Sequence, residues 1–60
     1  MNIRWIYDKG DWVMKDGDKV LYTVRRADNS KYDIMRDNEF VKRVSNLYDA
    51  KTVCQDLANA

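Results

Sequence analysis

Sixty residues with ten acids, eleven bases and a net charge of +1 bound one small domain and exclude both a polybasic nucleic-acid tail and an acidic nucleic-acid mimic. One cysteine and no histidine exclude an intrachain disulfide and a Cys/His zinc cluster. Stability must then come from packing of Trp5, Trp12, Phe40 and the four tyrosines, with or without a second subunit.

The chain opens on Met1-Asn2-Ile3-Arg4-Trp5, which lacks the apolar run and small-residue cleavage site of a signal peptide. No stretch approaches the ~20 apolar residues of a membrane helix. A reducing, cytoplasmic location with no membrane partner is the expectation. Strands are expected over about 3–7, 12–15, 20–26, 32–36 and 40–44, each rich in aromatic or β-branched residues. Asp8-Lys9-Gly10-Asp11, Asp16-Gly17-Asp18, Ala27-Asp28-Asn29-Ser30 and Asp37-Asn38 punctuate them as turns and loops. Connections this short force antiparallel neighbours, because a parallel pair needs a long crossover.

The last element is helical. Leu47, Ala50, Val53, Cys54 and Leu57 recur at steps of three and four, which gathers them on one side of a helix over about 47–58. Asn46 is placed as its N-cap, and Asp49 sets a carboxylate beside the unpaired first-turn amides. The fold class is therefore α+β: a small antiparallel β-meander of four to five strands, one C-terminal α-helix packed on one face, and a single domain over 1–60.

Alternation assigns the two sheet faces. Ile3, Trp5, Tyr7, Trp12, Met14, Val20, Tyr22, Val24, Tyr32, Ile34, Phe40 and Val44 are expected beneath the helix. The opposite face then carries Arg4, Lys15, Lys19, Arg25, Lys31 and Arg43 against Asp33 and Glu39, with Ile6, Leu21, Met35 and Val41 between the charges. The other acids fall mainly in turns or on the helix, so a nearly neutral chain presents one positive face. Arg4, Lys15, Lys19, Leu21, Arg25, Lys31, Met35, Val41 and Arg43 are the candidate partner-binding residues. The same pattern also fits a solvated face whose long cationic stems cover apolar neighbours.

The residue inventory argues against catalysis. Without histidine there is no Ser-His-Asp or Cys-His arrangement. Cys54 lies late on the apolar stripe, far from the positive helix end that would activate a thiol, and is read as core. Asp8, Asp11, Asp16 and Asp18 lack the ligand spacing and distal glutamate of a calcium loop, and turn chemistry accounts for them. Gly10 and Gly17 build no phosphate loop. No catalytic, cofactor or metal site is assigned. Trp5, Trp12, Tyr22 and Tyr32 share the inward parity and are read as core, although a tryptophan beyond the helix's reach would be an exposed anchor for a protein.

From Val20–Arg26 through Tyr32–Arg36, Asp37-Asn38, Phe40–Val44, Asn46 and Leu47–Leu57, the order resembles the three-stranded sheet plus C-terminal helix of tyrosine-integrase arm-binding domains and of plant DNA-binding domains of the same build. That resemblance covers about two-thirds of the chain and implies Arg25, Lys31 and Arg43 facing DNA. The residues themselves favour a non-catalytic binding module, a regulator or inhibitor docking onto a larger intracellular protein, of the kind mobile elements and phages encode. A nucleic-acid binder using the basic sheet face is the alternative. Because the first strand is expected at a sheet edge with no proline, a homodimer through that edge is also open.

Overall fold

The computed structural model describes residues 3–59; Met1, Asn2 and Ala60 of the expected single domain lie outside the described residues. Five strands, β1 (Ile3–Asp8), β2 (Asp11–Asp16), β3 (Lys19–Arg26), β4 (Tyr32–Arg36) and β5 (Glu39–Val44), precede one helix, α1 (Leu47–Asn59). The strands pair in sequence order as an antiparallel meander, with β1 and β5 as the two edges. The α+β architecture expected from the sequence is the observed one. The segment Trp12–Lys15, which had the weakest strand signal, is a full six-residue strand pairing on both sides.

The turns follow from local chemistry. Lys9 (φ 52°) and Gly10 (φ 87°) both have positive φ, as do Asp37 (φ 52°) and Asn38 (φ 67°). Two such residues in succession give the I′ geometry whose twist matches the flanking strands. Between β2 and β3 only Gly17 (φ 61°) is left-handed, the pattern of a II′ turn with glycine first. The loop from β3 to β4 is a single 3-10 turn, Asp28–Ser30, where the Ala27 N–H donates to the Lys31 carbonyl at 2.7 Å.

Two β-bulges correct the face assignment. On β3 the register passes from Met14↔Tyr22 to Lys15↔Val20, leaving Leu21 as the extra residue. On β5 it passes from Ile34↔Lys42 to Met35↔Phe40, leaving Val41 extra. Each bulge reverses the parity of everything between it and the preceding turn. Val20 and Phe40, expected beneath the helix, instead sit opposite the outward Lys15 and Met35 and are exposed. Leu21, expected outward, packs against the core. Lys19 pairs with Asp16 in the row that begins at Ile3, and Glu39, also expected outward, pairs with Arg36, both on the helix side.

The helix lies over β3, β4 and β5. Its Ala50 and Cys54 are closed off from solvent together with Met14, Val24 and Ile34, with Tyr22 almost as buried. Leu47, Val53 and Ala58 extend this seam, whereas Leu57 is partly exposed and Tyr48 stands in solvent. Towards β1 and β2, Lys51 lays its ammonium over Trp12 and Trp5, with Nζ 4.4 and 5.5 Å from the ring centroids. Both tryptophans are half-buried and pack on the core. A half-buried contact of this kind contributes about 0.5–1 kcal/mol.

Asn46 caps α1 as its position suggests. Its Oδ1 accepts the Asp49 N–H at 2.8 Å, and its Nδ2 donates to Asp49 Oδ2 at 3.1 Å. The Asn46 carbonyl accepts the first helical bond, from Ala50 N–H, at 3.1 Å. Replacing Asn46 by alanine removes the cap acceptor and its hold on Asp49. The expected loss is about 1 kcal/mol, read as a lower urea midpoint at unchanged slope.

Candidate functional site

The face turned away from the helix is organised in three cross-strand rows. The central row is Ile6, Val13, Thr23, Met35 and Phe40, one residue from every strand, each directly opposite the next. It is the register shift at Val41 that brings Phe40 into this row. Val13, Thr23 and Met35 are half-buried by their neighbours, while Ile6 is 37% and Phe40 58% exposed at the two ends. Directly opposed side chains lie about 5 Å apart, so the row forms one apolar band across the sheet.

On one side of that band Arg4 and Lys15 face each other, followed by Val20 opposite Lys15. On the other side runs a charged row: Asp8, Asp11, Arg25, Asp33 and Arg43. Arg25 Nε lies 3.8 Å from Asp11 Oδ2. Arg43 grips Asp33 with two parallel bonds, Nε to Oδ1 at 2.6 Å and Nη2 to Oδ2 at 3.2 Å. The hydrogen bonds and charge of Arg43 hold the Asp33 carboxyl below its ordinary value and raise the guanidinium in turn. Both members stay charged at neutral pH, so from Asp11 to Arg43 this margin is a ladder of neutralised pairs.

The candidate residues named from the sequence divide accordingly. Arg4, Lys15, Arg25, Met35 and Arg43 meet on the outer face. Lys31 adjoins them at the end of the sheet, where Arg25, Arg26, Lys31 and Arg43 line an open hollow with Asp28 and Asp33. Val41 is the exposed extra residue of β5. Lys19 and Leu21 lie apart on the helix side, lining a depression with Leu57 and Ala58.

Phe40 and Val20 are the outer-face residues that simple alternation misplaced. A signal for both was present: Val20-Leu21 and Phe40-Val41 are adjacent apolar pairs just after a two-residue turn. Strict alternation cannot put both members of such a pair on one side, and a bulge redistributes them.

The inner aromatics do not form an open stacking surface. Lys51 covers Trp5 and Trp12, while Tyr7 leans on Trp12 with centroids 5.0 Å apart and planes at 59°. Cys54 is wholly buried, and burial pushes its thiol up to about 11. A thiol so placed is protonated at neutral pH and is a poor nucleophile. Among the described residues no group of three or more Asp, Glu, Cys or His converges as metal ligands, and no helix is long and apolar enough to cross a membrane.

No family model, curated protein or solved structure matches this chain. The likeness to integrase arm-binding domains therefore rests on element order, and the sheet has five strands where that build has three.

Proposed function

We propose that this chain is a non-catalytic binding module that docks onto a larger protein through the sheet face opposite its helix, acting as a regulator or inhibitor of that partner. The observation that carries this reading is the apolar band Ile6–Val13–Thr23–Met35–Phe40, which crosses all five strands and ends in a largely exposed phenylalanine. A band of this kind between charged margins has the layout of an interface core and its rim. Its partner offers an apolar ridge flanked by acids that meet Lys15. Interleaved carboxylates along the opposite margin favour a protein surface over a phosphate backbone, because Asp11 and Asp33 already occupy Arg25 and Arg43.

The second reading is a nucleic-acid binder, favoured by the hollow that Arg25, Arg26, Lys31 and Arg43 line. One experiment separates the two. The tagged chain and its Phe40→Asp variant, shown folded by circular dichroism, are used to capture partners from cells of its source. Retention of one stoichiometric protein by the parent, with at least about a tenfold loss in the variant, is the expected result for a hot-spot aromatic. Equal retention by both overturns the face assignment. If instead nucleic acid binds both with an affinity that falls steeply with salt, the second reading replaces the first.

A further inference from the structure

The outer charges of β1 are mispaired within the subunit. Arg4 is directly opposite Lys15, and Asp8 is directly opposite Asp11. Like charges facing each other across an antiparallel pair are destabilising. Asp11 is relieved by Arg25 on its far side. Arg4 and Asp8 are exposed and join no ion pair among the described residues. Along their cross-strand rows, the one unoccupied side is the free edge of the sheet.

That edge is regular. Six consecutive pairs join β1 to β2 without a register shift, and β1 contains no proline. The opposite edge, β5, carries the bulge at Val41 and turns Lys42 to the helix side opposite Ile34, two features that blunt strand edges. Because a two-residue turn closes the β1–β2 hairpin, Asp8 and Asp11 exchange both backbone bonds. By alternation Ile6 and Arg4 also bond towards β2. Ile3, Trp5 and Tyr7 then direct their N–H and C=O groups outward.

We infer that β1 pairs with β1 of a second copy of this chain, antiparallel about a two-fold axis at Ile6, to form a continuous ten-stranded sheet. In this register Trp5 and Tyr7 of one copy exchange backbone hydrogen bonds with Tyr7 and Trp5 of the other. Ile6 meets Ile6, and Arg4 meets Asp8 of the second copy twice over. The two-fold symmetry thus supplies each mispaired charge with an opposite one. Moving the axis to Trp5 also preserves the hydrogen bonds, but it sets Arg4 against Ile6 and loses both ion pairs. A second copy is therefore the occupant whose chemistry fits this edge, and the apolar band of the outer face runs unbroken through Ile6 into it.

A single strand pair buries less than about 1,000 Å², so association is expected in the micromolar range or weaker. Sedimentation equilibrium from about 10 µM to about 1 mM reads it. The parent chain is expected to be a monomer–dimer mixture. Arg4→Asp and Asp8→Arg each turn two attractive pairs into repulsive ones and weaken dimerisation about tenfold or more. An equimolar mixture of the two variants regains the dimer, because both cross-strand pairs are then opposite in sign. Ile6→Cys, at a pair whose Cα atoms are about 4.5 Å apart, forms a covalent dimer on mild oxidation. A parent that is monomeric throughout overturns the inference, as do single reversals without effect or a mixture no tighter than its components. Sedimentation is read on the purified chain with no partner present, so the outcome is independent of partner docking on the outer face.

Discussion

Ile34→Ala should leave the chain unfolded or barely folded at 25 °C. Ile34 is 0% exposed in the second-to-last strand, between Val24 and Lys42 and against the core that includes Ala50 and Cys54 of the helix. Truncating a buried isoleucine removes about 2–5 kcal/mol, from lost transfer free energy and from the cavity left behind. A core of this size rarely supplies more than about 3–5 kcal/mol in total, and the single cysteine leaves no internal disulfide to compensate. The expected thermal midpoint falls by about 10–40 °C, or the cooperative transition disappears. Thermal circular dichroism reads this directly, with Phe40→Ala as the control, since that ring is largely exposed. A midpoint within about 3 °C of the parent would mean that the core is not where the structure puts it.

The second large effect is alkaline. Burial lifts the Cys54 thiol from its ordinary 9.0 to about 11, because a thiolate in the helix–sheet seam loses its hydration. Below pH 9 the thiol is protonated in folded and unfolded chains alike, and it does not affect their balance. Between pH 9 and about 11 the folded chain keeps a proton that the unfolded chain has released. Stability therefore falls as pH rises through that window. The full interval corresponds to about 2–3 kcal/mol, a large share of the total for a domain this small. Urea unfolding at pH 8 and pH 11 should show the loss, and Cys54→Ala should show less of it. If the alkaline loss is the same in both proteins, the thiol is not the titrating group. The same burial predicts that alkylating reagents label Cys54 only as fast as the chain unfolds.

Much of the fold was legible because the deciding forces are local. The Leu47–Ala50–Val53–Cys54 spacing places one helical face, and Asn46 with Asp49 shows where the helix begins. Lys9-Gly10, Gly17 and Asp37-Asn38 supply the positive-φ positions that two-residue turns require. The face assignment was legible only as far as the alternation stayed unbroken. It succeeded for Met14, Tyr22, Val24 and Ile34, and it failed at Lys19, Val20, Leu21, Glu39 and Phe40. Those five lie at or between a bulge and its turn, where one extra residue reverses every side chain.

The candidate surface was read in part for the same reason. Arg4, Lys15, Arg25, Met35 and Arg43 gather on the outer face as their parity implies. Neither the bidentate Arg43–Asp33 pair nor the place of Phe40 at the end of the apolar band follows from parity. Both depend on which residues stand opposite one another across strands.

By itself the sequence determined the class of fold, the order of the elements, the helix cap and the burial of Cys54. Each depends on residue type and short-range spacing, which act before the chain is assembled. The tertiary structure decided the cross-strand register, and with it the apolar band, the neutralised margin and the charges left mispaired on the first strand. Register is a comparison between segments: a bulge costs little locally and gains only when the neighbouring strand and the helix are in place to bury what it turns inward.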